Sequence, residues 1–315
     1  MALKNDILSL MESEHGEVLS GSMLAERFGV SRNAVWKAVN ALKEEGHSVE
    51  TVGRKGYRLT DGSDILSEEG IRSFLPEKLR SSRLAVAKEV GSTNDEAKKL
   101  SMDYPSQPAV FVADSQLSGR GRFGRKFYSP AKTGLYLSIV FYPHEQLNRA
   151  VVYTAMAAVA AARAAEKVCG IRPQIKWIND LYIGERKVAG ILTEAETDFE
   201  TGEVRRMIVG IGVNITTEDF PDSIREKAAS LGVKVRRNQL AAEMISEFFS
   251  IAEEKPDGFM DEYRSGCFLI GREILFSDGS REYRGTVVGI GDACELVLDT
   301  PDGRLTFSHG EILRF

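Results

Sequence analysis

Apolar positions recur at helical spacing from the start of the chain, and Leu3, Ile7, Leu8, Leu10 and Met11 predict a first amphipathic helix. Ser22 is placed to cap a second helix carrying Met23, Leu24 and Phe28. Gly29-Val30 then makes a tight turn, and Ser31 caps a third helix with Val35, Val39 and Leu42 inward. Gly46 ends that helix. Val49 to Val52 and Tyr57 to Leu59 read as two short strands around Gly53-Arg54-Lys55-Gly56. Helix, turn, helix and a basic-tipped hairpin make the pattern of a winged helix-turn-helix over residues 1–62. Asp61-Gly62-Ser63-Asp64 is a polar hinge.

Beyond the hinge the periodicity alternates between helix and strand. Ile65 to Leu75 predicts a helix, Leu84 to Ala87 and Val110 to Ala113 predict strands, and Gly134 to Phe141 is apolar enough to sit mid-sheet. One of Ser92, Thr93 or Asn94 caps a helix whose first amides face outward. Ala150 to Ala165 reads as a buried helix; it contains Arg163 and falls short of a membrane span. Ile175 to Ile183 reads as one strand interrupted by Lys176, Asn179 and Asp180, a grouping costly to bury unless it pairs or binds something. The Gly184-Glu185 turn leads to a strand from Arg186 to Glu194, and Val209 to Ile215 forms another. Near the end, Glu273 to Phe276, Tyr283 to Val288, Cys294 to Leu298 and Leu305 to Ser308 are short strands divided by turn signals. The class is therefore α+β, with a mixed central sheet.

Composition narrows the setting. The 315 residues suffice for two or three domains, and 43% hydrophobic with 28% charged residues is a globular balance. Cys169, Cys267 and Cys294 stand far apart without a C-x-x-C pair, which predicts free thiols in a cytoplasmic protein. His15, His47, His144 and His309 are too scattered for a metal cluster. The net charge of −5 leaves nucleic-acid binding to local patches. Residues 1–60 hold eight Lys/Arg and eight Asp/Glu, so one copy has little electrostatic pull on DNA and a dimer on a two-fold site is expected. The DNA-facing candidates are Ser31, Arg32, Asn33, Trp36 and Lys37 on the third helix, with Arg54 and Lys55 at the wing tip. Some winged helices bind proteins instead.

The chemistry concentrates in Ser118-Gly119-Arg120-Gly121-Arg122-Phe123-Gly124-Arg125-Lys126, with no acidic residue between Asp114 and Glu145. Glycines let this backbone approach a ligand, and guanidinium forks suit phosphate and carboxylate. The segment spells G-x-G-x-x-G, but Phe127-Tyr128-Ser129-Pro130 follows where a dinucleotide fold needs a helix. An anion-wrapping loop is the better reading.

S-G-R-G-R-x-G-R-K, K-W-x-N-D-L-Y, R-K-V-A-G-I-L-x-E and G-I-G-V-N, in that order behind a winged helix, resemble the bifunctional biotin–protein ligase and biotin operon repressor family along essentially the whole chain. The resemblance implies a catalytic domain over 65–269, related to class II aminoacyl-tRNA synthetases, and an SH3-like small β-barrel over 270–315. It also implies ATP-dependent formation of biotinyl-5'-AMP and transfer of biotin to a lysine of a biotin carboxyl carrier protein domain. The adenylate-bound homodimer would bind operator DNA. No membrane partner is implied.

Residue by residue, the resemblance makes Lys187 the bridge between the biotin carboxylate and the α-phosphate, with Arg122 and Arg120 closing over the same groups. Ser92, Thr93, Asn94 and Gln116 would bind the ureido ring, with Gly119, Gly121 and Gly190 also on biotin; Gly190 and Gly212 would let it lie on the sheet. Arg122, Arg125, Lys126, Lys176, Asn179, Asp180 and Asn214 would bind ATP, and Asp180 would hold Mg²⁺. Lys187, Arg122 and Asp180 are the catalytic set. The loop would be disordered when empty and fold over the adenylate as a lid. Phe123 stands where a further arginine is frequent, Ile178 where proline is common, and Phe127-Tyr128 replaces Trp-aromatic. A lipoate–protein ligase and a non-catalytic ligand-sensing regulator are the rival readings.

Overall fold

The computed structural model describes residues 2–60, 63–102, 106–143, 150–198, 200–253 and 258–315. Asp61, Gly62, His144 and Glu145, named above, lie outside them.

The N-terminal unit comprises α1 (Ala2–Ser13), α2 (Gly21–Arg27), α3 (Arg32–Glu44), β1 (Val49–Val52) and β2 (Gly56–Leu59). Its core is a separate cluster in which Ile7, Leu24, Val35, Val39, Leu42 and Leu59 are all buried. The expected cap at Ser22 is corrected to Ser20, whose hydroxyl accepts from the Met23 amide at 3.0 Å. Ser20 is the residue with extended backbone before the first turn, whereas Ser22 already lies inside the helix. Ser31 caps α3 as expected, accepting from the Ala34 amide at 3.1 Å. β1 and β2 pair antiparallel around the basic tip.

The central unit follows with α4 (Glu68–Phe74), α5 (Glu77–Arg80), β3 (Arg83–Val90), α6 (Thr93–Met102), β4 (Ala109–Gln116), β5 (Gly134–Phe141), α7 (Ala150–Cys169), β6 (Gln174–Lys176), β7 (Asp180–Ile183), β8 (Arg186–Thr197), β9 (Val204–Asn214), α8 (Asp222–Arg225), α9 (Arg237–Glu253) and α10 (Gly258–Gly266). Its seven strands run in the order β3-β4-β5-β9-β8-β7-β6. Only β3 and β4 are parallel; the other neighbours are antiparallel. Every residue of the central strand β5 is buried. Alternation decides which side chains meet which layer. Val110, Val112, Leu135, Leu137 and Ile139 pack with the alanine-rich α7 and with α9, while Ala109 and Val140 face Ala97 of α6 on the other side.

Three expectations change here. The helix expected from Ile65 begins at Glu68, because Ser67 caps it through the Gly70 amide at 3.0 Å. The expected strand from Ile175 to Ile183 is a hairpin, β6 and β7, with Lys176 opposite Asp180. The amide at the start of α6 is met from outside the helix, since Gln116 Oε1 accepts from the Thr93 N–H at 2.9 Å. Gln116 belongs to β4 itself rather than to the loop beyond it.

The C-terminal unit is one five-stranded sheet: β10 (Glu273–Ser277), β11 (Glu282–Ile290), β12 (Leu296–Thr300), β13 (Gly303–Phe307) and β14 (Glu311–Arg314), ordered β13-β12-β11-β10-β14. β14 had no counterpart in the sequence pattern. Cys294 falls before β12, in a turn with φ of 63°. The sheet docks on the central unit through Trp177, whose indole N–H donates to the Cys294 carbonyl at 2.8 Å and whose ring meets Phe276 edge-on. Among the described residues no helix is long and apolar enough to cross a membrane. The three cysteines are free thiols.

Candidate active site

A cavity of about 490 Å³ opens where the start of α6, the end of β4, and β9, β8 and β7 meet the glycine-arginine loop and β14. Its inner end is neutral and polar. Ser92, Thr93 and Asn94 are buried at the start of α6. Gln116 Oε1 also accepts from the Thr93 hydroxyl at 3.1 Å, and Gln116 Nε2 donates to Ser129 Oγ at 3.0 Å. Ser138 Oγ, from β5, lies 2.8 Å from Thr93 Oγ1 and 2.6 Å from Asn94 Oδ1. Asn94 Nδ2 donates to Glu194 Oε2 at 2.9 Å. Gly210 makes this possible, because a Cβ there would stand 2.3 Å from Asn94 Oδ1. The result is a fixed array of amide and hydroxyl groups, suited to a small ring carrying both donors and acceptors.

The other end is cationic. Lys187 Nζ stands 2.6 Å from Asp180 Oδ1 on the adjacent strand. Arg122 reaches from the loop to Asn179 Oδ1 at 3.1 Å and to the Gly310 carbonyl at 3.0 Å; burial lowers its pKa. Asn179 anchors the β6–β7 hairpin by donating from Nδ2 to the Ile191 carbonyl at 2.8 Å. Arg125 pairs with Glu311, and Lys126 stays exposed on the cavity rim. Lys176 Nζ sits over the Phe315 ring at 4.6 Å and the Tyr182 ring at 5.5 Å, and burial pulls its pKa down. Asn214 donates to the Ala229 carbonyl at 3.1 Å and leaves its buried Oδ1 without a hydrogen bond.

Ser92, Thr93, Asn94, Gln116, Gly121, Arg122, Arg125, Lys126, Lys176, Asn179, Asp180, Lys187, Gly190 and Asn214 all line the cavity, so the structure brings together nearly every expected residue. Four expectations are corrected. Gly119 does not line it: a Cβ there would meet the Phe127 carbonyl at 2.6 Å, and the glycine serves the close approach of the loop's two arms. Arg120 is a wall residue, but its guanidinium is held bidentate by Asp95 at 2.7 and 2.8 Å and reaches Glu194 at 3.3 Å; the Asp95 hydrogen bond raises its pKa. Gly190 and Gly212 do leave a bare patch of sheet, yet the Phe127 ring occupies it: a Cβ at Gly212 would lie 2.5 Å from that ring. The loop expected to be disordered has internal hydrogen bonds, Gly121 N to Arg125 O at 2.7 Å and Phe127 N to Gly119 O at 2.9 Å.

The sequence pattern passed over Phe127 as an occupant of the sheet face, and over Gly310, Glu311 and Phe315 altogether. Glu194 was visible only as the last letter of its motif.

On the N-terminal unit, Arg32, Asn33, Trp36 and Lys37 project from α3 into solvent, and Trp36 is 53% exposed, as a groove-facing helix requires. Arg54 and Lys55 are exposed at the wing tip. Ser31 is committed to its cap.

Comparison with known proteins places this geometry. The biotin/lipoate A/B protein ligase family model matches residues 86–214, an HTH domain model matches 4–58, and the biotin protein ligase C-terminal domain model matches 269–314. The bifunctional ligase/repressor BirA of Bacillus spizizenii is 33% identical over 315 residues, covering 96% of this chain and 95% of that protein. The chain belongs to the bifunctional biotin ligase/repressor family. Its Escherichia coli member is 29% identical over 306 residues, covering 95% of this chain and 93% of that protein. Among solved structures, the Aquifex aeolicus biotin protein ligase in complex with biotin and ATP superposes with a TM-score of 0.63 at 28% identity, covering 73% of this chain and 97% of that one. The uncovered share of this chain has room for the winged helix.

Proposed function

We propose that this protein is an ATP-dependent biotin–protein ligase and a DNA-binding repressor of biotin genes. One observation carries the enzymatic reading: a neutral hydrogen-bonding end and a cationic end share a single cavity, with Lys187 and the Phe127-covered glycine floor between them. A carboxylic acid with a polar ring fits the first end and a nucleoside triphosphate the second.

The chemistry follows. A biotin carboxylate oxygen attacks the α-phosphorus of ATP, the bond to the β-phosphate oxygen breaks, and pyrophosphate leaves. Negative charge gathers at the α-phosphate during attack, and preorganised cations aimed at it are the main catalytic device. Lys187 stands between the two reacting anions and Arg122 covers them from the loop. Arg125, Lys126 and Lys176 meet the outer phosphates, with Asn179 and Asn214 orienting the nucleotide. Ser92, Thr93, Asn94 and Gln116 hold the ureido ring. The carrier lysine amine then attacks the acyl carbon, AMP leaves, and an amide forms.

Mg²⁺ would offset phosphate charge in that step. Asp180 fits it as a carboxylate lining the cavity at its cationic end, where the metal would share its Oδ1 with Lys187. Among the described residues no group of three His, Cys, Asp or Glu could hold a metal alone, so phosphate oxygens would complete the shell.

We read the domains as 1–62, 65–269 and 270–315, the C-terminal sheet as an SH3-like barrel, and the central sheet as kin to class II aminoacyl-tRNA synthetases. The neutral N-terminal unit favours an adenylate-bound homodimer on operator DNA in the cytoplasm.

Two experiments test this. ATP with biotin, or with lipoate, is supplied alongside a biotin carboxyl carrier domain and labelling is followed by mass; biotin labelling is expected, and lipoate labelling alone would move the protein to the sister activity. Footprinting with and without biotin and ATP should show protection only with both, and equal protection would sink the coupling.

A further inference from the structure

The cavity holds its cations in two different ways. Lys187, Arg120 and Arg125 each face a carboxylate: Asp180, Asp95 with Glu194, and Glu311. Arg122 and Lys176 are held by neutral groups, and among the described residues no carboxylate is ion-paired to either; Asp180 and Glu311 act on both only through space. Arg122 donates to an amide oxygen and a backbone carbonyl. Lys176 rests against two aromatic faces.

The difference matters for an incoming triphosphate. A cation already paired with a carboxylate must share its charge with that partner. An aromatic face attracts an ammonium through its quadrupole, worth about 0.5–2 kcal/mol, without supplying a formal negative charge. Lys176 is thus stabilised against the cost of leaving water while its charge stays available to a ligand.

Phe315 is itself fixed. Its ring meets Phe268 at 5.3 Å and Tyr182 at 6.0 Å, both edge-on. It follows β14, which β10 holds through the Leu275–Arg314 pairing. Gly310, immediately before the first residue of the same strand, supplies the carbonyl that holds Arg122. Both neutrally held cations are therefore positioned from one strand of the C-terminal sheet.

We propose that Phe315 is a positioning residue for adenylate formation, its ring aiming Lys176 at the ATP phosphates so that the C-terminal unit completes the nucleotide half of the site. The proposal rests on the ligase reading.

Biotin-dependent ATP–pyrophosphate exchange, measured on the full chain, tests it. Phe315→Leu should raise KM for ATP about fivefold to tenfold, as loss of one such contact implies, and leave KM for biotin unchanged. Phe315→Tyr, which keeps the ring, should stay within about twofold of the parent. In a Lys176→Met background, Phe315→Leu should cost nothing further. The proposal is overturned by an unchanged KM for ATP, by equal losses for both substrates, by a Tyr variant no better than Leu, or by an undiminished penalty without Lys176. A parent lacking biotin-dependent exchange overturns the ligase reading and this proposal with it; an active parent with any of those four results overturns this proposal alone.

Discussion

Lys187 Nζ lies 2.6 Å from Asp180 Oδ1, an ion pair set across adjacent antiparallel strands at the centre of the cavity. The pair gives Lys187 a fixed place between the two ends of the site before substrate arrives. Lys187→Met should lower the rate of biotinyl-adenylate formation by roughly 10² to 10³, the usual cost of deleting one preorganised charge aimed at a transition state. Single-turnover pyrophosphate release measures it. A loss below about threefold would remove Lys187 from the reaction.

Arg122 joins the loop to both the β6–β7 hairpin and β14. Arg122→Gly cuts that tie while sparing the loop's own backbone bonds. Adenylation should remain measurable, and free adenylate should appear in solution and label exposed amines without a carrier. Chromatography of the reaction mixture detects it. Retention as tight as in the parent would rule out a lid.

Gly212 has no room for a methyl group, since its Cβ would stand 2.5 Å from the Phe127 ring. Gly212→Ala should displace that ring and narrow the floor. KM for biotin is expected to rise by an order of magnitude, with a smaller change for ATP. Adding Phe127→Ala should recover part of the biotin loss if the ring and the methyl group compete for one space.

Glu12, on α1, is buried against the N-terminus of α9, where Asn238 Nδ2 donates to its carboxylate at 3.2 Å. Burial raises its pKa from 4.5 to about 7, against the lesser opposing effect of the Asn238 hydrogen bond. The folded protein therefore binds this proton more tightly than the unfolded chain. Its contribution is full below about pH 4.5 and is lost as pH rises to about 7, at most about 3 kcal/mol across that window. Glu12→Gln should flatten the fall in melting temperature between those limits. His47, which burial pushes the other way, is common to both proteins and cancels in the difference. Parallel curves would remove Glu12 from the junction's energetics.

Arg32 projects from the start of α3 with its guanidinium in solvent. If it meets a phosphate, Arg32→Ala should weaken operator and non-operator DNA alike and reduce the salt slope of binding by about 1. Loss confined to one base position would make it a base reader instead.

Local pattern carried much of this. Helical spacing in residues 3–42 placed the inward face of the winged helix, because that core is built from near neighbours in the chain. The apolar run at 134–141, broken by Ser138, announced the central strand. The clustering of Lys176, Asn179 and Asp180 among apolar residues announced a site, since buried polar groups must be answered by something. The pattern misjudged Ser22 and Ile65, where the cap fell two or three residues away, because several hydroxyls can fill that role and only the chain's path selects one.

By itself, the sequence determined which chemistry the chain carries: four cations among three glycines, the K-W-x-N-D hairpin and the R-K-V-A-G-I-L strand, in the order of a known family. Tertiary structure alone decided how those charges are partnered. Arg120 is claimed by Asp95, a residue on another element, and Arg125 and Lys176 by Glu311 and Phe315, far along the chain. Such pairings depend on the distance between side chains in space, which spacing along the chain does not encode. The same holds for the Phe127 ring on Gly212: a glycine shows that room exists, and only the fold shows what fills it.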